Sequence, residues 1–319
     1  MDPLCLVCLV CGVPLSTRRR DTRTCGPTCR QRLRRHPSIV SVTSAPNKYA
    51  KCDTVPYGRI VQADALAYLQ TLPAGCVDLC LTSPPYWAKR TYSTDPRELG
   101  QERAPAVYLA ALVAICAEVR RVLRPSGWFL LNVADTYANQ PGRGRGSAKR
   151  AISAAAQRAT ASAPDKRLLD HPLKSLTFIP WRLADTLTAH GWRARNVISW
   201  HKLGHQPEHV NDRLTQAWEP IFALTPAATS FYAHPRDRGT ANENDHWSIP
   251  VGRGTRGAGG GHPAVFPDAL VERAITRFCP SGGVVLDCFA GSGTVRDVAQ
   301  RMGRLSLGCD LVDWGEASA

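Results

Sequence analysis

Short apolar runs and amphipathic stretches alternate along most of this chain in the order expected of a layered α/β domain. Apolar runs predict strands at Arg59–Ala63, Val77–Leu81, Trp128–Val133, Asn196–Trp200 and Glu219–Leu224. Two more end in an acid: Val284-Val285-Leu286 before Asp287, and Leu305–Asp310. Helical spacing appears over Tyr108–Leu123, where Leu109, Leu112, Val113, Cys116, Val119 and Leu123 fall on one side. That helix meets a stop signal at Arg124-Pro125-Ser126-Gly127. Further helices are predicted over Ala65–Leu72, over Pro267–Phe278 with proline in its first turn, and over Val295–Met302. Together these elements predict a doubly wound α/β sheet.

Three junctions between elements carry candidate chemistry. The first follows the strand at Val77: Leu81-Thr82-Ser83-Pro84-Pro85-Tyr86-Trp87. Two prolines fix φ and remove backbone donors, so carbonyls and the Ser83 hydroxyl are available to a ligand, and Tyr86 offers a flat face. Such a turn suits a planar base whose exocyclic amine needs acceptors. Accepting its protons makes the nitrogen more tetrahedral and able to attack a methyl sulfonium in line, which is catalysis by positioning and electrostatics. Taken alone, the run is also a plain Pro-Pro turn.

The second junction is Asp287-Cys288-Phe289-Ala290-Gly291-Ser292-Gly293-Thr294, where glycines let the backbone approach a ligand closely. Asp310, about 20 positions beyond this turn, is placed to hold ribose hydroxyls. The loop is not GxGxxG, which disfavours a dinucleotide. The third is His262-Pro263-Ala264-Val265-Phe266-Pro267, a proline-punctuated loop before a helix.

These three matches, in this order, resemble the amino-methylating DNA methyltransferases. The form with serine at position 83 is that of the N4-cytosine group; the adenine-N6 group more often has Asp or Asn there. The segments at 98–102, 121–137 and 198–202 also resemble family stretches, and the likeness covers most of residues 57–319. It implies a Rossmann-like S-adenosylmethionine-dependent methyltransferase fold. The catalytic turn precedes the cofactor loop, as in the circularly permuted beta arrangement. By resemblance Ser83, Pro84, Pro85 and Tyr86 are catalytic. Asp287, Phe289, Gly291, Ser292, Gly293, Thr294 and Asp310 would bind S-adenosylmethionine, with His262 and Phe266 enclosing its methionine moiety. Asp64 matches a family position near the cofactor's adenine, although capping of the helix from Ala65 explains it equally well. Asp135 reads as a plain loop acid. Lys202 and Glu219 lie in family-like segments without an assignable role. The partners implied are double-stranded DNA and a cognate restriction endonuclease. No cysteine nucleophile is needed, so Cys80 and Cys288 read as core. Competing functions are the same reaction on adenine N6, a zinc-dependent DNA-binding protein with an inactive methylase fold, and an RNA or protein-amide methyltransferase.

Residues 1–40 differ in kind. Cys8, Cys11, Cys25 and Cys29 form a C-x2-C…C-x3-C pattern, four soft ligands suited to structural zinc. So short a segment has too little core to fold without a staple. Cys5/Cys8 is an alternative first pair, His36 an alternative ligand, and disulfides an alternative chemistry. The end of this segment resembles small bacterial zinc ribbons that finish in a basic helix. Eight arginines between Arg18 and Arg35 read as a phosphate-binding surface.

The net charge of +14 and pI of about 9.5 favour a polyanionic partner. No run approaches a membrane span, and the N-terminus lacks the basic n-region of a signal peptide. Scattered remaining cysteines suit a reducing cytoplasm. Domain organisation is therefore expected as 1–40 and 41–319. Residues 138–175, rich in Gly, Arg, Ala and Ser, read as a flexible insertion, and 233–261 as a short target-recognition region.

Overall fold

A computed structural model describes residues 55–138, 171–205, 211–233, 243–252 and 265–314. Its centre is one sheet built from β1 (Ile60–Gln62), β2 (Val77–Thr82), β3 (Leu123–Asn132), β4 (Arg193–Leu203), β5 (Trp218–Thr225), β6 (His246–Pro250), β7 (Val284–Asp287) and β8 (Leu305–Asp310). The spatial order is β1-β8-β7-β2-β3-β5-β4-β6. Neighbours run parallel from β1 to β3, β5 runs antiparallel to both β3 and β4, and β6 is parallel to β4. Every residue of β2 is buried, as expected for a central strand covered on both faces.

Five helices among the described residues supply that cover: α1 (Ala65–Thr71), α2 (Pro105–Val122), α3 (Ile179–Ala189), α4 (Asp268–Phe278) and α5 (Thr294–Arg301). α4 and α5 pack together, burying Leu270, Ile275, Phe278 and Val298 against Leu79, Leu81, Trp128 and Trp200. α2 packs between α1 and α3, which lie on the opposite face. There Phe129 of β3 meets Trp192 at 5.2 Å between centroids, and Trp181 stands edge-on to Phe222 at 5.4 Å. The doubly wound architecture is therefore present, in a sheet whose far side is mixed rather than uniformly parallel.

Several elements depart from the sequence-based expectation. α2 begins earlier, at Pro105, because proline at a helix's first positions forfeits no internal hydrogen bond. Pairing of β3 starts at Leu123, not Trp128. Val77 faces Leu123 while Leu79 faces Trp128, so the Arg124–Gly127 stop signal is a bulge inside the strand. The guanidinium of Arg124 closes this bulge onto the buried Asp78, whose carboxylate also accepts from Val284 N–H at 2.8 Å. α3 was not expected, yet it buries Ile179, Leu183 and Leu187 at four-residue spacing. Asp135 is more than a loop acid. It accepts from Thr177 Oγ1 (2.5 Å), Phe178 N (2.9 Å) and Ile179 N (3.3 Å), satisfying donors at the start of α3.

β6 was also missed, although His246–Pro250 alternates exposed and buried residues with strand periodicity. It makes part of the expected target-recognition region an edge strand of the sheet. The ends of the expected insertion are joined: Lys174 N donates to Ala138 O at 2.7 Å and Ala138 N to Ser175 O at 2.9 Å. The six cysteines among the described residues are all free, and five of them are buried. No helix among the described residues is long and apolar enough to cross a membrane.

Candidate functional site

β2 delivers the Ser83-Pro84-Pro85-Tyr86 turn to the edge of a cleft of about 720 Å³. The turn is fixed from behind by α2 and the loop before it. Tyr108 of α2 donates to Pro85 O at 2.8 Å, and the buried Trp87 donates through Nε1 to Glu102 O at 2.9 Å. Ala88 N donates to Gly100 O at 2.8 Å. Gly100 has φ +88°, and a Cβ there would lie 2.9 Å from Tyr86 O. Only glycine allows both that conformation and that approach.

In front, the polar side chains form a chain. Ser83 Oγ donates to Tyr86 Oη at 3.2 Å. Tyr86 Oη is 3.0 Å from Glu219 Oε2 on β5 and 2.9 Å from Asn132 Oδ1 at the end of β3. The Asn132 amide is held in this orientation by its donation to Pro220 O at 3.0 Å. Glu219 Oε1 is paired with the ammonium of Lys202, which also lies over the Trp200 ring at 4.7 Å. Burial, followed by the Glu219 charge, raises the Tyr86 phenol well above its ordinary pKa, so it stays protonated.

The other end of the cleft is the β7–α5 turn. Gly293, at φ +90°, precedes α5, and a Cβ on it would meet Ile60 Cδ1 at 2.8 Å. Gly291 N–H donates to Asp310 Oδ2 at 2.8 Å, tying the turn to the end of β8. The other oxygen of Asp310 accepts from Val312 N (2.9 Å) and Trp314 Nε1 (3.1 Å), and burial raises its pKa. Asp287 accepts from Thr82 Oγ1 at 2.5 Å and Phe289 N at 3.1 Å, and burial pushes its carboxyl up to about 7. Phe289, Ser292 and Thr294 line the same cleft. The buried Ser292 Oγ has no hydrogen-bond partner among the described residues.

Most residues singled out from sequence therefore share one cleft. Asp64 lines it and also caps α1, accepting from Ala67 N at 3.0 Å, so the two readings of this residue are compatible. Phe266 lines it from the segment before α4. Gly291 and Gly293 shape the turn. His262 and the cysteines Cys8, Cys11, Cys25 and Cys29 lie outside the described residues. Several lining residues had no role assigned from sequence. Tyr92 and Trp314 meet edge-on at 6.3 Å. Glu98 fixes the preceding loop by accepting from Tyr92 N (2.7 Å) and Ser93 N (2.6 Å). Lys202 and Glu219 become partners because β4 and β5 are antiparallel with Trp200 opposite Glu219.

Comparison with known proteins agrees with this geometry. A family model described as "DNA methylase", of the N6/N4 type, matches residues 77–313. The type II methyltransferase M.Cfr9I of Citrobacter freundii is 36% identical over 258 residues, 79% of this chain and 83% of the relative. M.SmaI of Serratia marcescens is 33% identical over 261 residues, covering 79% and 86%. Among solved structures, the cytosine-N4-specific PvuII DNA methyltransferase shares the fold with a TM-score of 0.60 at 19% identity, over 81% of this chain and 83% of that one. A putative DNA modification methylase from Thermus thermophilus, solved with S-adenosyl-L-methionine, gives 0.54 at 24% identity over 80% and 88%. The chain belongs to the N6/N4 DNA methylase family.

Proposed function

We propose that this protein is a type II modification methylase that transfers a methyl group from S-adenosylmethionine to the N4 amine of cytosine in duplex DNA. The observation that carries the choice of base is Ser83 at the first position of the catalytic turn, facing the cleft. The methyl donor fits the β7–α5 end. The buried Asp287 and the half-buried Asp310 both line this end, and Ser292 Oγ lacks a partner among the described residues. Asp310 would hold the ribose hydroxyls with the lone pairs its three protein donors leave, and Phe289 would lie beside the cofactor. Asp64 and the Tyr92–Trp314 pair stand at the same end. When bound, the donor supplies an electrophilic methyl group.

The chain's own residues do the rest by positioning. The target cytosine flips from the duplex at a cost of a few kcal/mol and stacks on the Tyr86 ring, which Glu219 and Asn132 tether through its hydroxyl. Ser83 Oγ and the Pro84 carbonyl accept from the N4 amine, drawing its lone pair out of conjugation. Ser83→Ala should lower turnover by an order of magnitude or more while leaving DNA affinity nearly unchanged. Equal losses in both would remove this role. The second reading is adenine N6 as the target, since adenine presents a similar exocyclic amine. The four N-terminal cysteines are proposed, on spacing alone, as a structural zinc site beside a phosphate-binding arginine run. The relatives' type II naming supports a companion restriction endonuclease.

A further inference from the structure

The hydrogen-bond chain in front of the catalytic turn has a direction. Ser83 Oγ donates to Tyr86 Oη at 3.2 Å, and the only proton on Tyr86 Oη points to Glu219 Oε2 at 3.0 Å or Asn132 Oδ1 at 2.9 Å. An amide oxygen accepts a hydrogen bond but does not take up a proton at neutral pH. A carboxylate does both, and charge makes it the stronger acceptor. Glu219 is in turn fixed by Lys202, and both side chains are mostly withdrawn from solvent, at 16% and 21% exposure. Both residues line the cleft, where a carboxylate can meet a need for a proton acceptor. N-methylation creates such a need, because the amine must lose one proton for each methyl it gains.

We propose that Glu219 is the terminal acceptor of a proton path running from the target amine through Ser83 and Tyr86. The proposal rests on the amine-methylation reading above and names the route its proton takes. The balance closes without any other reactant. The N–CH3 bond forms from the nitrogen lone pair, and the S–CH3 bond breaks with its pair staying on sulfur. The nitrogen, now cationic, passes one proton to Ser83 Oγ as the Ser83 proton moves to Tyr86 Oη and the Tyr86 proton to Glu219. Tyr86 is never an anion in this sequence, in keeping with its strongly raised pKa. From Glu219 the proton leaves to the solvent of the cleft, which this residue lines. Lys202 and Asn132 are positioning residues for Glu219 and Tyr86.

The test is Tyr86→Phe, which keeps the stacking ring and cuts the path, beside Glu219→Gln, which keeps the shape and removes the acceptor. Single-turnover methyl transfer to duplex DNA is measured in H2O and D2O, with donor and DNA affinities determined by calorimetry. The wild type should be slower in D2O, with a curved dependence on deuterium fraction because several protons move together. Both variants should lose roughly 10²-fold in rate and lose the curvature, with donor affinity unchanged. In the free protein, the 13C shift of Tyr86 Cζ should move on Glu219→Gln, a readout independent of turnover. Variant rates close to wild type, or a wild-type rate indifferent to D2O, would overturn the path while leaving the methylase reading intact. A wild type that methylates neither cytosine nor adenine would overturn both.

Discussion

Gly100 is the most sharply constrained support of the Ser83–Tyr86 turn, and replacing it with alanine separates geometry from chemistry. Its φ of +88° strains any L side chain, at roughly 1–2 kcal/mol. The new Cβ would also sit 2.9 Å from Tyr86 O, whereas ordinary contact begins at 3.4 Å, so something must move by about 0.5 Å (3.4 − 2.9). The nearest atoms are backbone, Tyr86 O and C and Pro85 O, and backbone cannot swing aside like a side chain. The displacement therefore falls on the residue that carries the stacking ring and sits between Ser83 and Glu219. A misplacement of ~1 Å costs on the order of 10²-fold in rate, so half of that should cost roughly tenfold. Gly75→Ala and Gly282→Ala are matched controls. Their φ values are also positive, +65° and +69°, but nothing lies within 4 Å of the added carbon. All three variants should lose stability in urea unfolding, Gly100→Ala the most, and only Gly100→Ala should lose single-turnover rate at saturating donor and DNA. A folded Gly100→Ala protein with wild-type rate would refute the claim that this loop sets the position of Tyr86.

Other outcomes follow from the cofactor end and the N-terminus. Asp310→Ala should weaken donor binding by roughly 10–100-fold, since hydrogen bonds to a charged group are worth about 1.5–3 kcal/mol each; calorimetric affinity checks it, and an unchanged value would refute the assignment. The Asp287 carboxyl is raised by burial to about 7 in the fold, so the folded chain holds this proton more tightly than the unfolded one. Its contribution to stability is then present below pH ~4 and lost as pH rises towards 7, at no more than about 1.4 kcal/mol per pH unit. Asp287→Asn should flatten that part of the stability–pH curve, and an unaltered curve would contradict it. Metal analysis should find zinc in the full chain and its loss on Cys25→Ser or chelation; retention in the variant would exclude the four-cysteine site.

How much could be read from residues alone varied with the range of the forces involved. Strands buried on both faces, such as Val77–Thr82 and Val284–Asp287, announce themselves as apolar runs. The turns that line the cleft were legible too, because proline and glycine at Ser83–Tyr86 and Asp287–Thr294 have strong local meaning. β6 and α3 were missed for a common reason. α3 follows the Gly-, Arg-, Ala- and Ser-rich stretch at 138–175 and β6 runs into the Gly-rich one at 252–261, and their eleven and five residues carry only a modest periodic signal of their own. The start of α3 depends on Asp135, forty-odd positions away, which no local window contains. Lys202 and Glu219 show the same limit at the site. Their pairing is set by the register of β4 on β5, and the contact of Glu219 with Tyr86 by the order of strands in the sheet. Asp64 shows the converse, a residue whose capping role, read from sequence, leaves it lining the cleft as well.

The most direct test of the central claim is the chemical identity of the product. Duplex DNA, methylated by the full chain with isotope-labelled S-adenosylmethionine, is digested to nucleosides and resolved by mass. The expected result is label in N4-methylcytosine, abolished or sharply reduced by Ser83→Ala. Label in N6-methyladenine would contradict the choice of base that rests on Ser83.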